Sequence, residues 1–213
     1  MKRWGYSFLG WLCLWATQTE AITEEFKATT GGYVYEQRSS GSGGAGKSGT
    51  SLIKVGYSPT YKRYWGAVKF DLSSIPAGST IERARLRLYG AGYSSGTNKN
   101  ITRDVQIHRL TRNIFEGSFD WETTEFEHKS YDERDVPSHL KWIEWNVRGL
   151  VQLWFDGTYI NYGFLLKLDN DGCCTERIVY FRSDDHDFGT DHPELIVEYT
   201  WGDEFVPQAE RRS

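Results

Sequence analysis

The chain has 213 residues and a net charge of −4, and 38% of its residues are hydrophobic and 15% aromatic. Charged residues make up 25%, which with this apolar content argues against global disorder. The excess of acidic residues is not the footprint of a nucleic-acid-binding protein, and the length fits one domain with a sizeable core.

Residues 1–21 have the pattern of a secretion signal. Lys2 and Arg3 form a basic start, and the apolar run Trp4–Ala16 is too short to span a bilayer. Cleavage after Ala21 would remove both basic residues and Glu20, leaving 23 basic and 28 acidic residues and a net charge of −5. The alternative is a short membrane anchor. Because no second apolar run follows, we expect a mature protein without a membrane span that is secreted, extracellular, periplasmic or on the cell surface.

Short runs with strand character then follow one another, separated by turn formers, and residues 22–201 read as one domain with a polar tail at 202–213. Ile22–Thr30 is a polar lead-in, Ser39–Thr50 a Gly/Ser loop, and Phe115–Pro137 an ordered surface loop. The strand-like runs are Tyr33–Tyr35, Leu52–Tyr57, Tyr64–Leu72, Ile81–Tyr89, Val105–Leu110, Trp142–Val147, Gly163–Leu168, Arg177–Arg182 and Leu195–Trp201. This spacing predicts an all-β fold, a jelly-roll type β-sandwich.

One segment breaks the strand pattern. Within Val147–Phe155, the apolar residues Val147, Leu150, Val151 and Trp154 recur at helical spacing. We therefore predict one short helix.

The most informative run is Val68–Tyr89, VKFDLSSIPAGSTIERARLRLY. Apolar and polar residues alternate in its first part, Pro76 and Gly78 indicate a turn, and the alternation resumes after that turn. In the second half three leucine or alanine side chains face one way and three arginines the other: Ala84, Leu86 and Leu88 against Arg83, Arg85 and Arg87. Three arginines on one face need a reason, because a merely solvated face usually mixes its charges.

This run resembles the signature of the DNRLRE domain, grouped as carbohydrate-binding module family ninety-six. Four further segments agree in order: LIKVGY (Leu52–Tyr57), WIEWNVRGLVQLWFDG (Trp142–Gly157), NYGFLLK (Asn161–Lys167) and PELIVEY (Pro193–Tyr199). The resemblance covers roughly Gly31 to Thr200. Members often carry an Asp before the first Tyr-Val, where this chain has Gly32. The resemblance implies a sandwich that binds polysaccharide, and modules of this kind have been linked to acidic polysaccharides such as alginate.

Basic and aromatic residues on the strands form the predicted carbohydrate-binding site. Arginine binds carboxylates or sulfates in a bidentate manner, and aromatic rings stack on sugars. The alternative is a solvent face whose side-chain stems cover their neighbours. The predicted site residues, which form one patch if their strands share a sheet, are Lys54, Arg63, Trp65, Lys69, Arg85 and Arg87.

The glycine-rich segment Gly41–Ser48 satisfies the P-loop pattern G-x-x-x-x-G-K-S. That loop binds phosphate only when a helix begins directly after it. Here a predicted strand follows at Leu52, so we expect no nucleotide.

A calcium ion is the one cofactor that the sequence suggests. Asp169 and Asp171 begin like a calcium loop, although the spacing is wrong for an EF-hand. An acidic turn facing water is the equally weighted alternative. The adjacent Cys173 and Cys174 leave three options open: a strained vicinal disulfide, two free thiols, or pairing with another chain.

No residue set has a recognisable catalytic arrangement. His108 could act as a lyase base with a tyrosine, and the pairs Glu116/Glu122 and Glu125/Glu127 could be imagined as glycosidase carboxylates. We therefore predict a secreted, non-catalytic module that binds an acidic, alginate-like polysaccharide. The alternatives are a polysaccharide lyase or other glycan-degrading enzyme, and a structural protein of an extracellular matrix or of adhesion.

Overall fold

The computed structural model describes residues 20–37, 42–43, 47–58, 62–93, 103–115, 120–137, 140–169, 176–187 and 190–201. Within these residues the chain forms strands β1 (Ile22–Lys27), β2 (Thr30–Gln37), β3 (Ser42–Gly43), β4 (Lys47–Ser48), β5 (Leu52–Ser58), β6 (Lys62–Lys69), β7 (Thr80–Tyr93), β8 (Asp104–Arg109), β9 (Asp132–Asp135) and β10 (Lys141–Asn146), helix α1 (Arg148–Phe155), and strands β11 (Phe164–Leu168), β12 (Arg177–Arg182) and β13 (Glu194–Thr200).

The strands join in one antiparallel sheet in the order β1-β13-β7-β12-β5-β6-β11-β8-β9, with β10 beside β7 and β2 beside β6. The sheet curls, so that its two halves face each other across the main core. Trp145 of β10 shows this, because its indole Nε1–H donates to the carbonyl oxygen of Val105 in β8 at 2.8 Å and its ring packs on Phe181 of β12. The predicted all-β, jelly-roll type β-sandwich with one short helix is confirmed.

Strand β5 carries the sheet from one half to the other. Gly56 pairs with Ile178 of β12 and with Tyr64 of β6, and its φ is +132°. A Cβ there would run into the carbonyl of Arg177. Glycine is therefore required at this position, because other residues rarely adopt such a φ and the space is filled.

The alternation predicted for β7 is confirmed. Ala84, Leu86 and Leu88 are fully buried in the main core. The arginines between them lie on the opposite face, where Arg87 keeps 22% of its side chain exposed and Arg85 keeps 40%.

Helix α1 forms where its apolar spacing predicted it, with Leu150, Val151 and Trp154 buried. Two of its polar side chains bind the start of β7: Gln152 Oε1 accepts from the Ile81 N–H at 2.7 Å, and Arg148 Nε donates to the Ile81 carbonyl at 2.8 Å. In the described part of the chain, no helix is long and apolar enough to cross a membrane.

Four segment predictions were wrong in part. The Gly/Ser loop Ser39–Thr50 contains β3 and β4, which pair with β2. The polar lead-in contains β1, which pairs with β13 at the sheet edge, where a strand with one solvated side can be polar. Strand β6 ends at Lys69 rather than Leu72, because the carboxylate of Asp71 accepts the Ser73 N–H at 3.0 Å and turns the chain. The surface loop after Phe115 contains β9.

A second, smaller core lies on the outer side of β6 and β11. Ala67 and Leu165 are buried there beneath Leu110 and Ile114. Trp65 and Phe126 pack against the same group. The long surface segment therefore covers part of the sheet face that strand alternation alone would leave open.

Candidate functional site

The outward arginines of β7 stand in a ladder of cross-strand ion pairs. Arg87 lies 2.9 Å from Glu144 of β10 and 2.9 Å from Glu194 of β13, its register partners on either side. Arg85 pairs with Glu144 at 3.1 Å. Opposite charges facing each other across strands stabilise a sheet. These ion pairs explain why the arginines of β7 lie on one face, and the carboxylates offset the positive charge of the arginines.

Trp65 lies beneath another ring rather than on an open face. Its ring stacks on that of Trp121, with centroids 3.6 Å apart, and meets the edge of Phe126 at 5.0 Å. Its neighbour on the same face, Ala67, is fully buried. The predicted open surface from Arg63 to Lys69 is therefore interrupted, because the surface segment fills its middle.

Lys54 lies among tyrosine rings. Its Nζ is 5.1 Å from the ring centre of Tyr33 and 5.8 Å from that of Tyr64. Lys62 Nζ is 5.2 Å from the ring of Tyr35, and Tyr180 is the register partner of Lys54. We name this group the tyrosine–lysine cluster: Tyr33, Tyr35, Tyr64, Tyr180, Lys54 and Lys62.

The tyrosine–lysine cluster carries two ammonium groups, and the carboxylate of Glu176 lies close enough to act on Tyr64 and Tyr180. Neither Lys54 nor Lys62 has a carboxylate partner in the described part of the chain, so cation–π contacts are what hold their ammonium groups. Burial, and then the neighbouring Tyr33, Tyr180, Tyr35 and Glu176, raise the pKa of Tyr64 to about 12. The Tyr64 hydroxyl therefore remains a neutral donor at ordinary pH.

Lys69 lies at the other end of β6, where it lines a cleft of about 690 Å³ beside α1. We name this cleft the helix-side cleft. The end of β6 and the chain after it, Lys69–Ser73, line the cleft together with Phe155 and the segment Tyr159–Asn161. Asn113 and Phe115 line it as well.

The structure does not bring the six predicted site residues into one patch. Arg63 and Lys69 are six residues apart on β6, which is about 20 Å in a strand. Strand β12 lies between β7, which carries Arg85 and Arg87, and β5, which carries Lys54. Arg63 itself approaches Glu36 at 3.8 Å. The six residues lie in different environments. The role of each of them in binding stays a prediction.

His108 is 2% exposed, and its ring nitrogens bond within the protein. Nδ1 is 3.0 Å from the carbonyl oxygens of both Glu127 and Lys129, and Nε2 is 3.2 Å from Gln106 Oε1. Burial lowers the pKa of this imidazole. A lyase base must reach its substrate, and this ring is enclosed between β8 and the surface segment.

The glutamates considered as glycosidase carboxylates are engaged where the structure describes them. Glu127 accepts from Arg109 at 3.1 Å and from the Tyr131 hydroxyl at 2.9 Å. Burial acts to raise its pKa, but these two hydrogen bonds bring the pKa below its usual value. Glu125 lies 4.0 Å from Arg112. Glu116 lies outside the described residues.

The predicted calcium site is only half described. Asp169 is exposed and accepts a hydrogen bond from Gln106 Nε2 at 2.8 Å, while Asp171 and the cysteine pair lie outside the described residues. Within the described ranges, no three histidine, cysteine, aspartate or glutamate side chains are grouped to hold a metal ion. Calcium at Asp169 and Asp171 stays a prediction.

The glycine-rich segment does not lead into a helix. Lys47–Ser48 forms β4 against β2, and β5 begins at Leu52, as the sequence predicted. Gly41 and residues 44–46 lie outside the described residues.

Sequence reasoning missed the tyrosines of the cluster and the aromatic walls of the cleft. The tyrosines come from β2, β6 and β12, so they meet only through strand pairing. The Tyr-x-Tyr pattern at Tyr33 and Tyr35 was a usable signal, because alternation places both rings on one face.

The comparisons with known proteins give one family. The model of carbohydrate-binding module family 96 matches residues 23–199, which is most of the chain and all but the first residue of β1 and the last residue of β13 in the sandwich. None of the curated proteins compared matches the chain.

Proposed function

The chain belongs to carbohydrate-binding module family 96, and on that premise we propose that it binds an acidic polysaccharide, such as alginate, through the tyrosine–lysine cluster. It does so outside the cytosol and without cleaving the polymer. The observation that carries the proposal is the position of Lys54, an ammonium group held over two tyrosine rings with no carboxylate partner in the described residues.

Each component of the cluster has a part in this recognition. The rings of Tyr35, Tyr64 and Tyr180 are partly exposed and can stack on sugar faces. Lys54 and Lys62 supply positive charge that a uronate carboxylate or a sulfate would pair with. The chain as a whole is acidic, so the positive charge of the two lysines is local. An anionic polymer is therefore attracted to this surface more than to the rest of the protein.

The arginine ladder is assigned to the fold rather than to the ligand. Arg85 and Arg87 already pair with Glu144 and Glu194. A polymer carboxylate would have to displace these partners at a cost close to what it gains. We therefore expect Lys54 to contribute more to binding than Arg85, although both lie in the site predicted from the sequence.

The test compares Lys54→Met with Arg85→Met. Methionine keeps most of each stem and removes the charge. Isothermal titration with alginate, polygalacturonate and a sulfated glycan should show affinity about two- to fivefold lower for Lys54→Met, the range of an exposed or half-exposed charge contact. Arg85→Met should bind like the parent. If Arg85→Met weakens binding and Lys54→Met does not, the cluster is not the site.

The same samples test the catalytic alternative. Incubation with each polymer, followed by assays for reducing ends and unsaturated sugars, should give no product above background. Turnover that copurifies with the protein would show a lyase or hydrolase instead. Equal affinity for neutral and acidic polymers would remove the electrostatic part of the proposal.

A further inference from the structure

The helix-side cleft has the size of a small-ligand site and lies away from the tyrosine–lysine cluster. Its volume of about 690 Å³ falls within the range of pockets that hold small molecules, roughly 300–1,000 Å³. Tyr64 and Lys69 are five residues apart on β6, which corresponds to about 16 Å. A ligand in the cleft would therefore not share contacts with one on the cluster.

The charges of the cleft balance. Among the lining residues that the structure describes, Lys69 is the one cation and Asp71 the one anion. The hydrogen bonds from Ser73, and then the Lys69 charge, lower the pKa of the Asp71 carboxyl, so it is ionised at neutral pH. Asp71 is a strong acceptor and Lys69 a strong donor. Together they suit hydroxyl groups, which both donate and accept hydrogen bonds, better than they suit a polyanion.

The polar lining is held in place by the fold. Asn161 donates from Nδ2 to the Phe70 carbonyl at 3.2 Å and accepts from the Gly163 N–H at 3.0 Å. Asn113 accepts the Phe115 N–H through Oδ1 at 3.2 Å, and its Nδ2 has no acceptor in the described residues. The cleft thus offers an oriented amide donor without having to order a mobile side chain.

The remaining lining is apolar and aromatic. Phe115, Phe155 and Tyr159 line the cleft, and Ile160 at its rim keeps 65% of its surface exposed. The Tyr159 ring is fixed from the Arg109 side, where the guanidinium lies 3.7 Å from the ring centre. Trp154, also in the lining, has a buried Nε1–H without an acceptor among the described residues. Such a donor gains from any oxygen that reaches it.

From this combination we propose that the helix-side cleft is a second carbohydrate site, which binds an uncharged sugar ring or a short neutral oligosaccharide. The aromatic walls cover the C–H faces of the sugar. Asp71 accepts from one hydroxyl group and Lys69 and Asn113 donate to others. This site works independently of the proposed anionic site, so the chain would engage two kinds of glycan segment at once, which raises avidity without new contacts at either site.

The test uses the purified full chain with mannotriose, cellotriose, xylotriose and laminaritriose at millimolar concentrations. At least one should bind, with an affinity that does not change as salt rises toward 1 M. Asp71→Asn should weaken that binding by about two- to fivefold, the range for losing an exposed charged acceptor. Asparagine keeps the oxygen that accepts the Ser73 N–H, so the turn and the thermal midpoint should be retained.

Two further variants complete the experiment. Asn113→Asp keeps the acceptor for Phe115 but removes the donor, and it should also weaken binding of the neutral sugar. Lys54→Met should leave neutral-sugar binding unchanged while it weakens alginate binding, so the two sites can fail separately. The cleft proposal is overturned if no neutral oligosaccharide binds, if Asp71→Asn and Asn113→Asp both bind like the parent, or if Lys54→Met abolishes neutral-sugar binding.

Discussion

Removal of the buried carboxylate of the arginine ladder should cost the fold more than removal of an exposed one. In Glu194→Gln the side chain keeps its shape and loses its charge. The Glu194 side chain is 6% exposed and lies 2.9 Å from Arg87 and 2.5 Å from Lys27. Both cations would lose a charged partner, and for Arg87, which is only 22% exposed, solvent replaces little of that loss.

The size of the effect follows from how exposed each partner is. A hydrogen bond to a charged group contributes about 1.5–3 kcal/mol, and the lower end applies to Arg87 because it keeps Glu144 at 2.9 Å. Lys27 is 49% exposed and keeps Glu25 at 2.7 Å, so its loss is that of a surface pair, about 0–1 kcal/mol. Glu194→Gln should therefore lower the free energy of unfolding by about 2 kcal/mol, which lowers the thermal midpoint by about 4–8 °C for a chain of this length.

Strand β13 offers a matched control in Glu198→Gln. Glu198 faces Arg83 at 3.3 Å, but the two side chains are 32% and 62% exposed. The expected loss is below about 1 kcal/mol. Differential scanning calorimetry of the parent and both variants measures the thermal midpoints, and Glu194→Gln should lower the midpoint more than Glu198→Gln does. Equal shifts in the two variants, or no shift in Glu194→Gln, would show that the ladder does not stabilise the sheet through its buried carboxylate.

Three other outcomes are expected. Because the folded pKa of Tyr64 is raised from 10.0 to about 12, its contribution to stability is complete below pH 10 and is lost as pH rises through 12; Tyr64→Phe should flatten the fall of the thermal midpoint over that window, and an unchanged slope would contradict the raised pKa. Calorimetric titration with ATP and Mg²⁺ should give no heat of binding at Gly41–Ser48, and micromolar affinity would refute the interpretation of that loop. N-terminal sequencing of exported protein should begin near Ile22, whereas an intact Met1 in a membrane fraction would favour the anchor.

The sequence predicted the parts of the fold that depend on local alternation. Strand β7 alternates from Arg83 to Gly90, and Ala84, Leu86 and Leu88 all face the core. The helix was found because four apolar residues share one face. Strand β1 was missed because its sequence, ITEEFK, is polar, and what makes it a strand is pairing with β13, far away in the chain.

The site was less predictable, because its chemistry depends on contacts between distant strands. The arginines of β7 were correctly placed on one face, but the glutamates that pair with them lie on β10 and β13 and were not connected with them in the sequence. Trp65 was placed on the outer face, yet Trp121, 56 residues later, covers it. Lys54 was selected for its charge alone, and strand pairing then placed tyrosines around it.

Binding of the purified chain to alginate across a salt series tests the central claim most directly. We predict measurable affinity at low salt that falls steadily as the Debye length shrinks from about 10 Å at 0.1 M to about 3 Å at 1 M. We also predict weaker binding at low salt to a neutral polymer of similar length. Affinity for alginate that is absent at low salt, or that stays constant over the whole series, would contradict electrostatic binding at the tyrosine–lysine cluster.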